Sequence, residues 1–165
     1  MPSTIQFIVR PVRLGSLAAI ALAVALSAGL SGNTQAQEAV PASPVGTWQT
    51  IDDHTGQAKA LIQITQEADG TLSGKVIKGL EPGDDPSRRC TACTDARKDQ
   101  LMLGMTIIDG LKQDGTNWDG GHILDPENGK IYRCKMHVAD DGKTLVVRGY
   151  IGISLLGRSQ TWHRN

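Results

Sequence analysis

From Gly46 onward the chain is cut into short runs by Asp69-Gly70, Asp114-Gly115, Glu127-Asn128-Gly129 and Asp140-Asp141-Gly142. Asn-Gly and Asp-Gly tolerate the positive φ of tight hairpin turns, so this punctuation makes each run a strand paired with its neighbour. Eight β-favouring runs result: Gly46–Asp52, Lys59–Gln66, Thr71–Lys78, Met105–Leu111, Trp118–Asp125, Lys130–Val138, Thr144–Ile151 and Gly157–Arg164. In the clearest of them Tyr132, Cys134, Met136 and Val138 alternate with Ile131, Arg133, Lys135 and His137, a period of two with one face toward a core and one toward water. Ala60, Ile62 and Ile64 alternate in the same way with Gln63 and Thr65. No stretch sustains a 3.6-residue stripe. The expected class is all-β, with about eight antiparallel strands closed as an up-and-down barrel or stacked as a sandwich.

The N-terminal 36 residues have a different composition. They hold Arg10, Arg13, no acidic residue and an Ala/Leu-rich run from Leu14 to Leu30, which is the form of a secretory signal peptide. Thr34-Gln35-Ala36 supplies a cleavage motif, and Gly15, Ser16, Ser27 and Gly29 interrupt the run where a spanning helix would stay apolar. The expected organisation is a leader over residues 1–36, a Pro-containing flexible linker over 37–44 and a domain over 45–165. The expected location is periplasmic or secreted, with no membrane span once the leader is removed. The 17 Lys and Arg balance 17 Asp and Glu, with no basic block. That argues against a nucleic-acid partner, whose affinity comes largely from clustered cations on phosphates. Few aromatics and short strands also fit poorly with a lipid-embedded barrel.

Gly46-Thr47-Trp48, the segment Trp118-Asp119-Gly120-Gly121-His122-Ile123-Leu124-Asp125-Pro126, and the closing Arg148-Gly149-Tyr150-Ile151-Gly152 with Gly157-Arg158-Ser159-Gln160-Thr161-Trp162 resemble the bacterial secreted family DUF2147. The resemblance runs from about Val45 to Arg164. It implies a lipocalin-like (calycin) antiparallel barrel exported in Gram-negative bacteria, and it brings no catalytic residues. Gly46-Thr47-Trp48 is similar to the Gly-x-Trp that opens lipocalin-like barrels, where the Trp closes one end beneath an Arg of the last strand. Arg158 or Arg164 could take that part here.

The long irregular stretch from Gly79 to Leu103 carries Cys90-Thr91-Ala92-Cys93. In an oxidising compartment a Cys90–Cys93 disulfide is the default. A thiol-redox or metal-handling role for this pair is the alternative reading, although no thioredoxin-like helix N-terminus supplies a depressed thiol pKa. Cys134 reads as a buried small hydrophobe, with pairing to Cys90 or Cys93 left open. A zinc site adding Cys134 and His137 fails on strand geometry, since residues three apart point to opposite faces.

Ser154 lacks the nucleophile-elbow frame, the histidines are scattered, and no phosphate loop is present, so neither enzyme activity nor a cofactor is expected. Arg148, Tyr150, Arg158, Gln160 and Trp162 alternate along the last two strands and are expected to share one face, either a polar-aromatic pocket or an exterior surface. Leu145, Val147 and Ile151 on the other face look more core-like, which favours the exterior. With Trp48, the residues Arg148, Tyr150, Arg158 and Trp162 are the candidate ligand contacts, and the expected binding partner is a small apolar or amphipathic molecule or an envelope protein.

Overall fold

The computed structural model describes residues 42–165. The leader expected over residues 1–36 and the first part of the 37–44 linker lie outside the described residues. Eight strands follow one another in a closed meander: β1 (Gly46–Ile51), β2 (Ala58–Gln66), β3 (Leu72–Gly79), β4 (Thr106–Asp114), β5 (Asn117–Asp125), β6 (Lys130–Val138), β7 (Thr144–Tyr150) and β8 (Arg158–Arg164). Every neighbouring pair is antiparallel, and β1 closes the ring on β8 through Trp48 opposite Arg164 and Gln49 opposite His163. The sandwich alternative is therefore excluded, and the strand bounds read from the turns agree within a residue at most ends.

Alternation decides what faces inward. Trp48, Ile62, Ile64, Leu72, Ile108, Leu111, Cys134, Met136, Leu145, Val147 and Trp162 are buried in one cluster. The opposite positions carry Gln63, Lys75, Lys78, Asp109, Lys112, Arg133 and His137, all exposed. A barrel with charges along its outer wall is built to face water, since a lipid-facing wall needs an apolar band there.

Register shifts at Thr50/Ile51, Leu61/Ile62, Gly74/Lys75 and Trp118/Gly121 bend the strands enough to close the ring. The shift at Gly74/Lys75 makes Ile107 an extra residue on β4, buried beside Ile108. At Gly121 the β4 backbone passes so close that an added Cβ would lie 2.4 Å from the Asp109 carbonyl oxygen. Only glycine fits where β4 and β5 approach this tightly.

Two expectations need correction. Register pairs Leu145 with Trp162, Val147 with Gln160, Gly149 with Arg158 and Arg148 with Ser159. Trp162, Gln160 and Arg158 thus share a face with Leu145 and Val147, while Arg148 and Tyr150 lie on the opposite, outer face, Tyr150 across from Arg133. The five do not form one surface, because the β7–β8 connection shifts the two strands by one position relative to the spacing assumed from sequence, which inverts the facing of one strand. Ile151 is also not core. It lies just past the end of β7 and is 65% exposed.

Candidate ligand-binding cavity

The meander gives the barrel two unlike ends. At one end β1 begins and β8 finishes, and the connections after β2, β4 and β6 are short. Trp48 plugs this end: it is fully buried, and its Nε1 donates to the Pro44 carbonyl at 2.7 Å. The Arg164 guanidinium lies over the indole, 4.2 Å from the ring centroid. Arg164 also donates to the carbonyls of Gly142, Val45 and Ser43 at 2.9, 3.2 and 3.0 Å. Of the two arginines the sequence left open, Arg164 is the cap.

The other end receives the β1–β2 turn, the long β3–β4 loop, the β5–β6 turn and the β7–β8 connection, and here the interior opens into a cavity of about 780 Å³. Ligand pockets commonly span ~300–1,000 Å³. Its walls are Ile62, Val76, Ile107, Ile123, Val147 and Trp162, with Thr50 and Tyr132 adding hydroxyls. The Thr50 hydroxyl is already engaged with the Ala60 backbone, so the wall holds no orphaned polar atom there. Among the described residues no buried side-chain nitrogen or oxygen lacks a partner. An interior this apolar can hold a molecule by burial and shape, with polar discrimination confined to the rim.

The rim is charged and asymmetric. Asp52, Asp53, Glu81, Asp84, Asp85, Asp125 and Glu127 face the opening together with Lys59, Arg88 and Arg158. Arg158 is paired with Asp53, and Gln160 Nε2 donates to the same carboxylate at 2.8 Å, which ties the β1–β2 turn to β8. Asp52 accepts from the Thr55 backbone N–H at 2.8 Å, the Thr55 hydroxyl at 2.9 Å and the His54 N–H at 3.0 Å. The Thr55 bonds, foremost, hold its pKa down to about 2.

The β7–β8 connection contributes the apolar side of the rim. A short 3₁₀ turn, Ser154–Leu156, leaves Ile151, Ile153, Leu155 and Leu156 60–86% exposed. The turn is held in shape by Arg148, whose Nε and Nη2 donate to the carbonyls of Ser154 and Leu155 at 2.8 and 3.2 Å and whose Nη1 meets the Ser159 hydroxyl at 2.8 Å.

Of the five candidate contacts, then, Arg158 and Trp162 face the cavity and Tyr150, at the end of β7 with its side chain on the outer face, touches only its mouth, whereas Trp48 plugs the far end and Arg148 braces the rim from outside. Tyr150 is nearly buried, with its hydroxyl 3.4 Å from Asp119 Oδ1. Burial pushes its phenol pKa up, and the Asp119 carboxylate adds to this, so it stays protonated. None of Lys59, Arg88 and Glu127 is among the ligand contacts expected from sequence. They lie far apart in the chain, and no local spacing marks residues that meet only across a barrel mouth.

Cys90 and Cys93 form a disulfide, and both are buried. The loop that carries them has its own short ladder, with Arg89 paired to Leu101, the Cys90 N–H donating to Gln100 and the Met102 N–H to Arg88. It docks on the β5–β6 turn: Cys90 Sγ lies 3.4 Å from the Pro126 carbonyl oxygen. A Cβ on Gly129 would fall 1.9 Å from the Ala92 carbonyl oxygen. Leu124, which alternates outward from Ile123, is covered in the same cluster as the two cysteines. Cys134 is a free thiol inside the barrel, between Gly121 and Gly149. Burial pushes its pKa up to about 12, with Asp119 and Asp109 contributing, so it is an inert packing residue.

A model of the bacterial family described as "uncharacterized protein conserved in bacteria (DUF2147)" matches residues 46–164. The chain belongs to the DUF2147 family. Among solved structures, this DUF2147 chain is similar to protein HP1028 of Helicobacter pylori, described as belonging to the lipocalin family. The TM-score is 0.65 at 17% identity, covering 74% of this chain and 83% of the other. At that identity the likeness establishes the lipocalin-like fold. No curated relative matches the chain.

Proposed function

We propose that this DUF2147 protein is a non-enzymatic carrier or sensor, exported to the periplasm or beyond, that takes up a small apolar or amphipathic molecule through the open end of its barrel. The observation that carries this reading is the cavity of about 780 Å³, walled by aliphatic side chains and Trp162 and open at one end only. An apolar wall stabilises a ligand by roughly 25 cal/mol per Å² of surface removed from water. The leader read over residues 1–36 supports export. The buried Cys90–Cys93 disulfide supports a bracing role for the loop over thiol exchange, since exchange needs an accessible sulfur.

The test is equilibrium binding of a neutral fluorescent naphthylamine probe, with competition by alkyl chains of graded length. Gly149 gives the control. Its φ is ordinary, and an added Cβ would meet Tyr132 and Ile123 at 3.4 and 3.5 Å, so a side chain there points into the cavity. The protein should bind the probe saturably, and Gly149→Phe should abolish binding while remaining folded. Absence of saturable binding across the series would refute the reading.

A further inference from the structure

The Lys59 ammonium lies 2.7 Å from Glu127 Oε2 and 3.5 Å from Asp52 Oδ2. Lys59 sits at the start of β2, and Glu127 is in the β5–β6 turn. In the closed ring β3 and β4 separate these elements on one side, and β7, β8 and β1 separate them on the other. The pair therefore crosses the opening of the barrel from one side to the other. Arg88, from the long loop, extends it, with Nη2 4.0 Å from Glu127 and Nη1 3.4 and 3.5 Å from Glu81 and Asp84. All six residues border the cavity.

We propose that the Lys59–Glu127 ion pair is a latch across the cavity mouth, and that its parting admits the ligand. The inference rests on the cavity reading above and adds the route and the residues that control it. Three features fit a latch better than a structural brace. Its two ends belong to a strand and a turn that make no backbone ladder with one another, and open cavity lies beneath it. The side chains of Lys59 and Glu127 are 27% and 47% exposed, and ion pairs this wet are weak enough to open thermally. The pair nonetheless stays charged when closed. Desolvation lowers the Lys59 pKa, but the bonded Glu127, with Glu81 and Asp52 nearby, more than reverses this. Because the tie is electrostatic, added salt should loosen it even for an uncharged ligand, whose diffusion salt does not steer.

The experiment is stopped-flow association of the same neutral naphthylamine probe with the wild type and with Lys59→Met, Glu127→Gln and Lys59→Arg, each checked for folding by thermal melt. At low ionic strength Lys59→Met and Glu127→Gln should associate about three- to fivefold faster, the size expected from loss of an exposed ion pair. The wild type should speed up with sodium chloride toward the rates of these variants, and Lys59→Arg, which can keep the pair, should stay slow. Equal, salt-independent rates in all four proteins would overturn the latch and leave the cavity reading standing. If none of the four binds the probe at equilibrium, the cavity reading falls and the latch with it.

Discussion

Arg164→Ala probes how the closed end is held. Arg164 is exposed, and exposed substitutions usually change stability by less than about 0.5 kcal/mol. This one should cost more, because a single guanidinium covers Trp48 at 4.2 Å and joins the carbonyls of Ser43, Val45 and Gly142. A partly exposed cation–π contact is worth ~0.5–1 kcal/mol, and each solvent-accessible hydrogen bond to a carbonyl falls near the low end of ~0.5–1.5 kcal/mol. Together they give a loss of about 2 kcal/mol, or roughly 8 °C in Tm for a domain of this size. Urea denaturation followed by tryptophan fluorescence reads the loss directly, since Trp48 is the residue uncovered. Arg164→Lys keeps the charge but neither the planar stack nor the fork of donors, so it should recover less than half of the stability. A loss below about 0.5 kcal/mol for Arg164→Ala, or full recovery with Lys, would refute the account of the cap. Probe binding should be retained in both variants, because Trp48 does not border the cavity.

Four further outcomes are expected. Native alkylation should label no cysteine, denaturation should expose Cys134 alone, and reduction with denaturation should expose all three, as counted by intact mass. Replacing Cys90 and Cys93 together by Ser should lower stability by no more than about 2 kcal/mol in urea, because the ring they close is so short. Because the Asp52 pKa is depressed to about 2, its support of the β1–β2 turn should be present above the ordinary carboxylate value of 3.8 and fade as pH falls through about 2. Hydrogen exchange at the Thr55 amide between pH 4 and pH 2 would check this, and unchanged protection would contradict it. Gly129→Ala, at φ 69° and against the Ala92 carbonyl, should detach the disulfide loop and speed proteolysis between Cys90 and Leu103 without melting the barrel.

Strand count, strand bounds and the inward face of β6 were legible because each rests on neighbours in sequence. An Asp-Gly turn and an alternation of two act over a few residues, and the barrel reuses them at every hairpin. The Cys90–Cys93 disulfide was legible for the same reason, its two cysteines being separated by only two residues and within reach in any compact loop. The facing of Arg148 and Trp162, placed on one side from the alternation alone, was misread where local reasoning stops. Its answer depends on how the Ile151–Gly157 connection sets register between β7 and β8, and a slip of one residue exchanges the two faces.

An all-β meander with one cysteine-bearing loop can be read from the chain alone, because hydrophobic period and turn chemistry are properties of short segments. Which end of the barrel is plugged and which is open emerges from the closed ring, and the same closure sets Arg164 as the cap and brings Lys59 to Glu127 across the mouth. Those contacts join residues far apart in the chain, and their existence depends on ring closure and register, which no single segment encodes.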